Sequence, residues 1–139
     1  MRLLIILSAV ILTACTSTKQ VPAANNSNVL NGTWVPVQQE IGGNTLPEAA
    51  FQKQVLTIKD STYSFMAESL DKGVLSYKDD KMDIYGREGV NAGRHFMAIY
   101  KFENQQLTIC YNLKGDSYPA SYDTKGHPLY FLSVFRKTN

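Results

Sequence analysis

The chain is poor in the residues that most often carry catalysis, metal binding or covalent cross-linking. Its 139 residues include only two cysteines and two histidines. No zinc-ligand spacing, calcium-binding loop or glycine-rich phosphate-binding motif is present. The formal net charge is only +2, which leaves no basic footprint for nucleic acid. These absences predict a protein that is not an enzyme, holds no metal or cofactor, and does not bind nucleic acid.

Long apolar runs are also scarce, and the only one lies at the start of the chain. Leu3 to Leu12 follows Arg2 and is too short to span a bilayer, so residues 1–14 are predicted to be a signal peptide. The run ends in Leu12-Thr13-Ala14-Cys15, which resembles a bacterial lipobox. The resemblance implies export, cleavage before Cys15, and lipidation of that cysteine with acyl chains such as palmitate. An ordinary secretory signal with a free Cys15 thiol, or a buried N-terminal helix, are the alternatives.

A polar segment separates Cys15 from the rest. Residues 15–29 are small, polar and proline-containing, which predicts a flexible tether to the membrane of a bacterial cell envelope. Thr16, and not aspartate, follows the cysteine, which favours the outer over the inner membrane. Cys110 is then the only other cysteine, so no intramolecular disulfide is available. Its place on a predicted strand favours a buried, inert thiol over a reactive one.

The stretch from Arg94 to Leu113 reads as a β-hairpin. Phe96, Ala98, Tyr100 and Phe102 alternate with polar or outward residues on one strand, and an equivalent alternation follows on the next. A turn at Asn104-Gln105 places these four residues opposite Leu113, Tyr111, Ile109 and Leu107. A slip of one residue would break that match, so the pattern fixes the register. Gln105 suits a left-handed turn position poorly, so a wider loop with the same register is an alternative.

Two further hairpins and two single strands complete the pattern. Turns at Asp60-Ser61 and Asp79-Asp80 predict the pairs Ile58–Tyr63, Leu56–Phe65, Tyr77–Met82 and Leu75–Ile84. Pro36 marks an edge, bulge or kink in the first strand. A short helical turn is predicted near residues 47–52, opened by Pro47. The predicted strands are 32–41, 54–59, 62–68, 74–78, 81–85, 94–103, 106–113 and 129–136.

Eight sequential antiparallel strands in a single domain, residues 30–138, predict an all-β, up-and-down barrel. In such a meander the connections alternate between the two ends. The tight turns fall at one end, and four longer connections fall at the other: Gly42 to Lys53, Ser69 to Gly73, Gly86 to Gly93 and Lys114 to Pro128. This asymmetry predicts a closed base, to which the tether attaches, and an open mouth that faces away from the membrane.

Several segments of the sequence, taken in order, resemble the lipocalins. Gly32-Thr33-Trp34 on the first strand is similar to the lipocalin Gly-x-Trp signature. The resemblance implies that Arg136, on the last strand, packs over Trp34 at the closed base. The ordered set from LNGTW to FLSVFRK, over roughly residues 30–137, resembles the small bacterial lipocalin-like (calycin-type) domains often carried by lipoproteins. No long helix follows the last strand, and few residues are available for large mouth loops.

Candidate binding residues follow from the predicted interior. An eight-stranded barrel is filled by its side chains or holds one small ligand. The predicted inward residues are Trp34, Leu56, Ile58, Tyr63, Phe65, Leu75, Tyr77, Phe96, Tyr100, Phe102, Ile109, Tyr111, Phe131 and Phe135. A small pocket near the mouth would draw on Tyr77, Phe96, Tyr100, Tyr111 and Phe131, with tyrosine hydroxyls as polar partners. The alternative is that all of these residues are core.

The sequence therefore predicts a monomeric, envelope-anchored barrel that binds a small apolar or amphipathic molecule at its open end. The alternative is a solid barrel whose rim loops bind an envelope protein or inhibit an enzyme. The rim candidates are Arg87, Glu88, Arg94, Asp116, Tyr118, Tyr122, Asp123 and His127. His95 and His127 lie on different segments without a flanking catalytic signature, so the sequence gives catalysis little support.

Overall fold

The structure is a computed structural model that describes residues 29–139. The predicted signal peptide, the lipidation of Cys15 and nearly all of the predicted tether lie outside these residues. Of the described residues, 57% lie in strands, and one short 3-10 turn is the only helical element among them. Its elements are β1 (Gly32–Ile41), β2 (Asn44–Thr45), a 3-10 turn (Glu48–Ala50), β3 (Val55–Lys59), β4 (Thr62–Met66), β5 (Leu70–Lys78), β6 (Lys81–Glu88), β7 (His95–Glu103), β8 (Gln106–Asn112) and β9 (Tyr130–Lys137).

The sheet is an antiparallel meander that closes on itself. The strands pair in the order β2-β1-β3-β4-β5-β6-β7-β8-β9, and β1 also pairs with β9. β2 is a two-residue appendage on the end of β1, so the closed barrel has eight strands. The predicted fold class is confirmed, and the predicted helical turn is the 3-10 turn after Pro47. We call the end with residues 60–61, 79–80 and 104–105 the base and the opposite end the mouth.

The predicted registers are confirmed in all three hairpins. Ile58 pairs with Tyr63, Leu75 with Ile84, and Tyr100 with Ile109. The fourth pair predicted for the last hairpin, Phe96–Leu113, lies just beyond the ladder, which ends at Met97–Asn112. The turn between β7 and β8 has two residues, with φ of +51° at Asn104 and +63° at Gln105. The tight turn therefore forms despite the poor fit of glutamine, because the paired strands on both sides determine the register.

Two of the mouth loops are shorter than predicted, because strand takes residues 70–73 of the first and residues 86–88 of the second. β5 begins at Leu70 and β6 continues to Glu88, so the connection between β4 and β5 is only residues 67–69. Gly73 was predicted to end a loop, but it lies inside β5 at a bulge beside Lys72. A Cβ atom at Gly73 would lie 2.0 Å from the Tyr85 carbonyl oxygen and 2.7 Å from the Tyr63 ring. Because Gly73 has no side chain, the backbone of β6 and the Tyr63 ring can approach it closely. Such close approach is one of the reasons why glycine occurs inside strands.

A bulge in β1 changes which side chains face the interior. The register with β9 shifts between Pro36 and Gln38, as the proline allowed. Trp34 and Pro36 are buried before the bulge, and Gln39 is buried after it, opposite Ser133. The extra residue moves the inward positions from even to odd numbers. Gln39 therefore enters the barrel although simple alternation from Trp34 would place it outside.

Most of the predicted inward residues pack in one core inside the barrel. Its buried members are Leu30, Trp34, Leu56, Ile58, Tyr63, Leu75, Met82, Ile84, Phe96, Ala98, Tyr100, Leu107, Ile109 and Phe135. Phe65, Tyr77 and Tyr111 pack against it as partly buried residues. Phe102 departs from the prediction, because it is 40% exposed at the base, where its ring meets Trp34 edge-on at 5.9 Å between centroids.

The last long connection does not ring the mouth. We call residues 114–129 the strap, because they fold back over the outer wall formed by β7, β8 and β9. Ile99, Cys110 and Leu132 on that wall are buried beneath Tyr118 and Tyr122 of the strap and form a second cluster with them. Thr124 is also fully buried, and its hydroxyl oxygen accepts a hydrogen bond from the Gly43 amide at 2.8 Å. The prediction of a mouth loop failed here because apolar strap residues gain more by covering this wall than by facing solvent.

Residues 29–139 form a self-contained folding unit. They hold the whole closed sheet and both clusters, and among them no buried side-chain nitrogen or oxygen atom lacks a hydrogen-bond partner. This segment is therefore a suitable sample for the stability and binding measurements below. Within the same segment, no helix has the length and apolar character needed to cross a membrane.

The predicted stacking of Arg136 on Trp34 is wrong. Lys137 pairs with Trp34 across the β1–β9 ladder and places its Nζ 5.3 Å from the ring centroid. Arg136 is opposite Val35 instead, and therefore faces the other side of the sheet. A Cβ atom at Gly32 would lie 2.4 Å from Lys137 Cε, so the glycine of the Gly-x-Trp motif leaves space for the lysine side chain.

This correction gives a prediction for the two neighbouring cations. Lys137→Ala is expected to lower the free energy of unfolding by about 0.5–1 kcal/mol, because it removes an exposed cation–π contact. Arg136→Ala is expected to change it by less than about 0.5 kcal/mol. Urea unfolding of both variants of segment 29–139 checks this. A larger loss for Arg136→Ala than for Lys137→Ala would restore the original assignment.

Candidate functional site

The barrel encloses a cavity between its middle and its mouth. The cavity has a volume of about 230 Å³. An apolar cavity of about 150 Å³ already accommodates benzene, so this one has room for a small organic molecule. Its wall is mostly aliphatic and aromatic, and it is lined by Gln39, Leu56, Ile58, Tyr63, Phe65, Asp71, Leu75, Met82, Ile84, Asn91, Arg94, Phe96, Ile109, Tyr111, Leu113, Phe131 and Phe135.

The cavity opens at the mouth because the base is filled. Trp34 is fully buried at the base, where its indole Nε1 donates a hydrogen bond to the Leu30 carbonyl oxygen at 2.9 Å. Tyr77 and Tyr100 meet edge-on beside it, with 5.9 Å between ring centroids. The large side chains thus close one end of the barrel, and the space that remains lies among the residues of the mouth half.

A buried carboxylate secures one side of the mouth. Asp71 is only 5% exposed, and its Oδ2 accepts hydrogen bonds from Tyr63 Oη and Asn91 Nδ2, each at 3.1 Å. Asp71 Oδ1 accepts a third bond, from the Asn91 amide, also at 3.1 Å. These bonds fasten the connection between β6 and β7 to the start of β5. Both carboxylate oxygens are engaged, which is the condition under which a buried charge is tolerated.

Tyr63 and Tyr111 are the two tyrosines of the cavity wall. Burial raises the pKa of Tyr63 well above its usual value, and the neighbouring Asp71 charge adds to the shift. Burial also raises the pKa of Tyr111, with smaller contributions from Tyr63 and Cys110. Both hydroxyls therefore keep their protons at neutral pH. Tyr63 uses its proton for Asp71, whereas no residue from 29 to 139 hydrogen-bonds to the Tyr111 hydroxyl.

Arg94 stands at the entrance. Its guanidinium lies 4.5 Å above the centre of the Phe96 ring. It donates two long hydrogen bonds, at 3.4 Å to Asn91 Oδ1 and at 3.3 Å to the Leu113 carbonyl oxygen. Among the described residues, no carboxylate forms an ion pair with it. The entrance therefore carries a cation whose charge is not paired within the barrel.

A neutral polar cluster lies in the part of the cavity wall that β1 and β9 form. Gln39 Nε2 donates to Gln54 Oε1 at 2.6 Å and to Ser133 Oγ at 3.2 Å. Ser133 is fully buried, and Gln39 is 2% exposed. These bonds join β1, β9 and the segment before β3 near the mouth. These side chains hydrogen-bond mainly to one another, so we assign the cluster a structural role in the cavity wall.

The structure brings three of the five predicted binding residues to the cavity. Phe96, Tyr111 and Phe131 line it, and the rings of Tyr111 and Phe131 are 5.8 Å apart. Tyr77 and Tyr100 lie in the filled base instead, and Tyr77 Oη donates to the Asp60 carbonyl oxygen at 3.3 Å. The prediction of these two residues as part of a mouth pocket is wrong, because each lies next to a tight turn of the base.

Sequence reasoning missed Asp71, Asn91 and Gln39. Asp71 was assigned to a loop, although the alternation of Asp71, Gly73 and Leu75 with outward residues continues the strand pattern. Asn91 lies in a connection that carries no pattern of its own. The inward position of Gln39 depends on the bulge in β1, and Pro36 was the only residue in the sequence that indicated a bulge.

The predicted rim residues disperse over the barrel, and only Arg94 stands at the cavity entrance. Arg87 and Glu88 belong to β6, and Glu88 pairs with Lys72 at 3.7 Å. The other five lie in the strap: Asp116, Tyr118, Tyr122, Asp123 and His127. Tyr118 Oη donates to Asp83 Oδ2 at 2.6 Å on the outer wall, where His95 Nε2 lies 2.7 Å from the other Asp83 oxygen. The bond from Tyr118 fastens the strap to β6, the contact with His95 joins β6 to β7, and both lie outside the cavity.

Neither histidine reaches the cavity. The His95 ring stacks on Tyr85, and the His127 ring stacks on Tyr130, each with 4.4 Å between centroids. Within residues 29–139, no group of three or more histidine, cysteine, aspartate or glutamate side chains is placed to hold a metal ion. In comparisons with known proteins, neither a family model, nor a curated protein sequence, nor a solved structure matches the chain.

Proposed function

We propose that the protein is a lipocalin-like binding protein that takes a small apolar or amphipathic molecule into the mouth of its barrel, without catalysis. One observation carries the proposal, namely the cavity of about 230 Å³ lined mainly by apolar side chains. Ligand sites are typically concave and apolar with a few polar groups that fix orientation. The mouths of β-barrels are among the places where such sites occur.

The proposed setting is the bacterial cell envelope, with the chain anchored through lipid on Cys15. The lipobox-like sequence before Cys15 supports the anchor. The closed antiparallel barrel supports the lipocalin-like assignment at the level of architecture. Val29 lies where the described chain begins, close to the base of the barrel, since the Asn31 side chain hydrogen-bonds to Asp60 of a base turn. A tether that arrives there leaves the mouth free.

A second candidate function is protein interaction through the rim. Met66 and Leu70 are cross-strand partners at the mouth edge of β4 and β5, and they are 44% and 40% exposed. Val90, in the adjacent connection, is 76% exposed. Exposed apolar groups of this kind often mark contact surfaces. We place this candidate second because an interaction surface does not require the cavity beside it.

The first test uses a neutral probe whose apolar body suits the cavity. We expect 1-octanol to bind segment 29–139, and Leu113→Trp to weaken that binding by about tenfold or more. The larger ring would fill space at the mouth, and the loss of burial for two methylene groups alone is worth about a factor of ten. Titration followed by NMR chemical shifts checks both the affinity and the location of the probe.

Leu129→Trp is the matched control, because Leu129 is 48% exposed and does not line the cavity. It introduces the same ring near the mouth and is expected to leave octanol binding unchanged. Shift changes confined to the strap or the outer wall would contradict the proposal. Equal binding by wild type and Leu113→Trp would contradict it as well.

A further inference from the structure

The cavity differs from a plain apolar pocket in the kind of polar groups that it leaves unused. We infer that its ligand carries an anionic head, a carboxylate in the simplest case, which Arg94 binds at the mouth while a short apolar body occupies the barrel. The inference rests on the proposed function, since it names the class of ligand for the same cavity. Three features of the cavity support it: the engaged acceptors beside Arg94, the surplus of hydrogen-bond donors, and the small volume.

The acceptors beside Arg94 are already engaged by the protein. Tyr63 and Asn91 donate three hydrogen bonds to the two oxygens of Asp71. The Asn91 side-chain oxygen and the Leu113 carbonyl oxygen accept from Arg94. A cationic or donor-rich head would have to displace these bonds in order to be recognised. Asp71 therefore does not serve as the partner of a cationic ligand.

The donors, in contrast, are in surplus. A guanidinium has five N–H groups, and Arg94 uses two of them in bonds of 3.3–3.4 Å. The Tyr111 hydroxyl is unpartnered within residues 29–139, and its raised pKa keeps it a donor. A hydrogen bond from such a donor is stronger when its acceptor carries a charge. The groups that the cavity offers to a ligand are thus complementary to an oxyanion.

The position of Arg94 is set by the backbone. The Gly86 amide donates to the Arg94 carbonyl oxygen at 2.9 Å, and the Arg94 amide donates to the Asn91 carbonyl oxygen at 3.0 Å. The guanidinium then lies against the Phe96 ring, which lines the cavity. A planar guanidinium held in this way can receive a carboxylate with two parallel hydrogen bonds. The head would remain at the mouth, close to solvent, where the free-energy cost of removing its charge from water is smallest.

The volume limits the body of the ligand. Benzene, with six heavy atoms, occupies an apolar cavity of about 150 Å³, so about 230 Å³ suits roughly nine heavy atoms. The aromatic lining, which includes Phe65, Phe96, Phe131 and Phe135, accepts either an aryl group or a short alkyl chain. Octanoate and 1-octanol have bodies of this size and differ in the head alone. They are therefore the probes of choice.

The test compares the two probes on three forms of segment 29–139 by calorimetric titration at pH 7.5. We expect the ratio of the octanol to the octanoate dissociation constant to fall about tenfold in Arg94→Gln, because a charge-assisted bond at a partly exposed site is lost. Any effect of the substitution that both probes share, such as a change in the shape of the mouth, cancels in this ratio. The control is Arg87→Gln, which removes the same charge from β6 outside the cavity and should leave the ratio at its wild-type value.

The possible failures are distinguishable. If octanol and octanoate bind but the ratio is the same in all three forms, the anionic head is excluded and the proposed function stands. If Arg87→Gln lowers the ratio as much as Arg94→Gln does, net charge and not the Arg94 site is responsible, and the inference fails. If neither probe binds the wild-type domain, the proposed function fails and the inference fails with it.

Discussion

Trp34→Ala is expected to lower the free energy of unfolding by about 3–5 kcal/mol, because it removes the largest fully buried side chain of the barrel. The substitution leaves a void in the filled base, and it leaves the Leu30 carbonyl oxygen without the indole donor. A domain of this size has a total stability of only about 5–15 kcal/mol, so the variant would be close to unfolding. Chemical unfolding of segment 29–139, followed by far-ultraviolet circular dichroism, measures the difference.

Phe102→Ala is the matched control for this prediction. Phe102 touches the same indole edge-on, but it is 40% exposed at the base. Its removal is expected to cost only about 1 kcal/mol, since little apolar surface is lost from the interior. Similar losses for the two variants would mean that the base is not the tightly packed end of the barrel. The cavity would then have to be located elsewhere.

Raising the pH from 9 to 11 is expected to lower the stability of the domain by roughly 4 kcal/mol. Burial, helped by the charge of Glu40, raises the pKa of the Cys110 thiol to about 11 from a usual value of 9.0. Tyr63 and Tyr111 are shifted in the same direction. A group whose pKa is raised on folding stabilises the native state below its unfolded pKa, and that stabilisation is lost as the pH rises toward the folded pKa. The thiol then accounts for about 2 kcal/mol and each tyrosine for about 1 kcal/mol at pH 11.

Unfolding curves at pH 8, 9, 10 and 11 test this pH dependence. Cys110→Ala removes the thiol and should reduce the loss between pH 9 and 11 by about half. The alanine variant is also expected to be somewhat less stable at pH 8, because Cys110 is fully buried between the wall and the strap. A stability that is constant from pH 9 to 11 would contradict the burial of these groups.

The hairpins show what a sequence of this kind determines well. Alternating apolar residues on both sides of a two-residue turn leave one register in which each apolar side chain meets another. The pairs Ile58–Tyr63 and Tyr100–Ile109 follow from that rule and are present in the structure. Even the unfavourable Gln105 did not alter the register, because strand pairing outweighs the preference of one turn residue.

The candidate site was harder to predict, because it depends on departures from simple alternation. Gln39 faces the interior because of a bulge. Gly73 lies inside a strand, where glycine is required because a side chain would strike Tyr63 and Tyr85. The strap was assigned to the mouth, since nothing in its local sequence shows that Tyr118 and Tyr122 cover the outer wall. Such features are decided by contacts between distant segments, and a pattern within one segment does not report them.

The division of the barrel into a filled base and an open mouth is the feature that gives the protein its proposed role. Trp34, Tyr77 and Tyr100 occupy the base, whereas Phe96, Tyr111 and Phe131 line space that remains accessible from the mouth. Arg94 places a cation at the entrance to that space, and no carboxylate among residues 29–139 forms an ion pair with it. Binding of a small amphipathic anion accounts for all three observations. A barrel that served only as a rigid interaction module would not need the cavity.

The most direct test of this account is native mass spectrometry of segment 29–139, produced in its own host and purified without detergent. We predict a species heavier than the polypeptide by one small molecule, which is released on denaturation and carries an acidic group. Leu113→Trp, prepared in the same way, should show the polypeptide mass alone. A wild-type domain that shows only the polypeptide mass, and that gains no adduct when octanol or octanoate is added, would contradict the account.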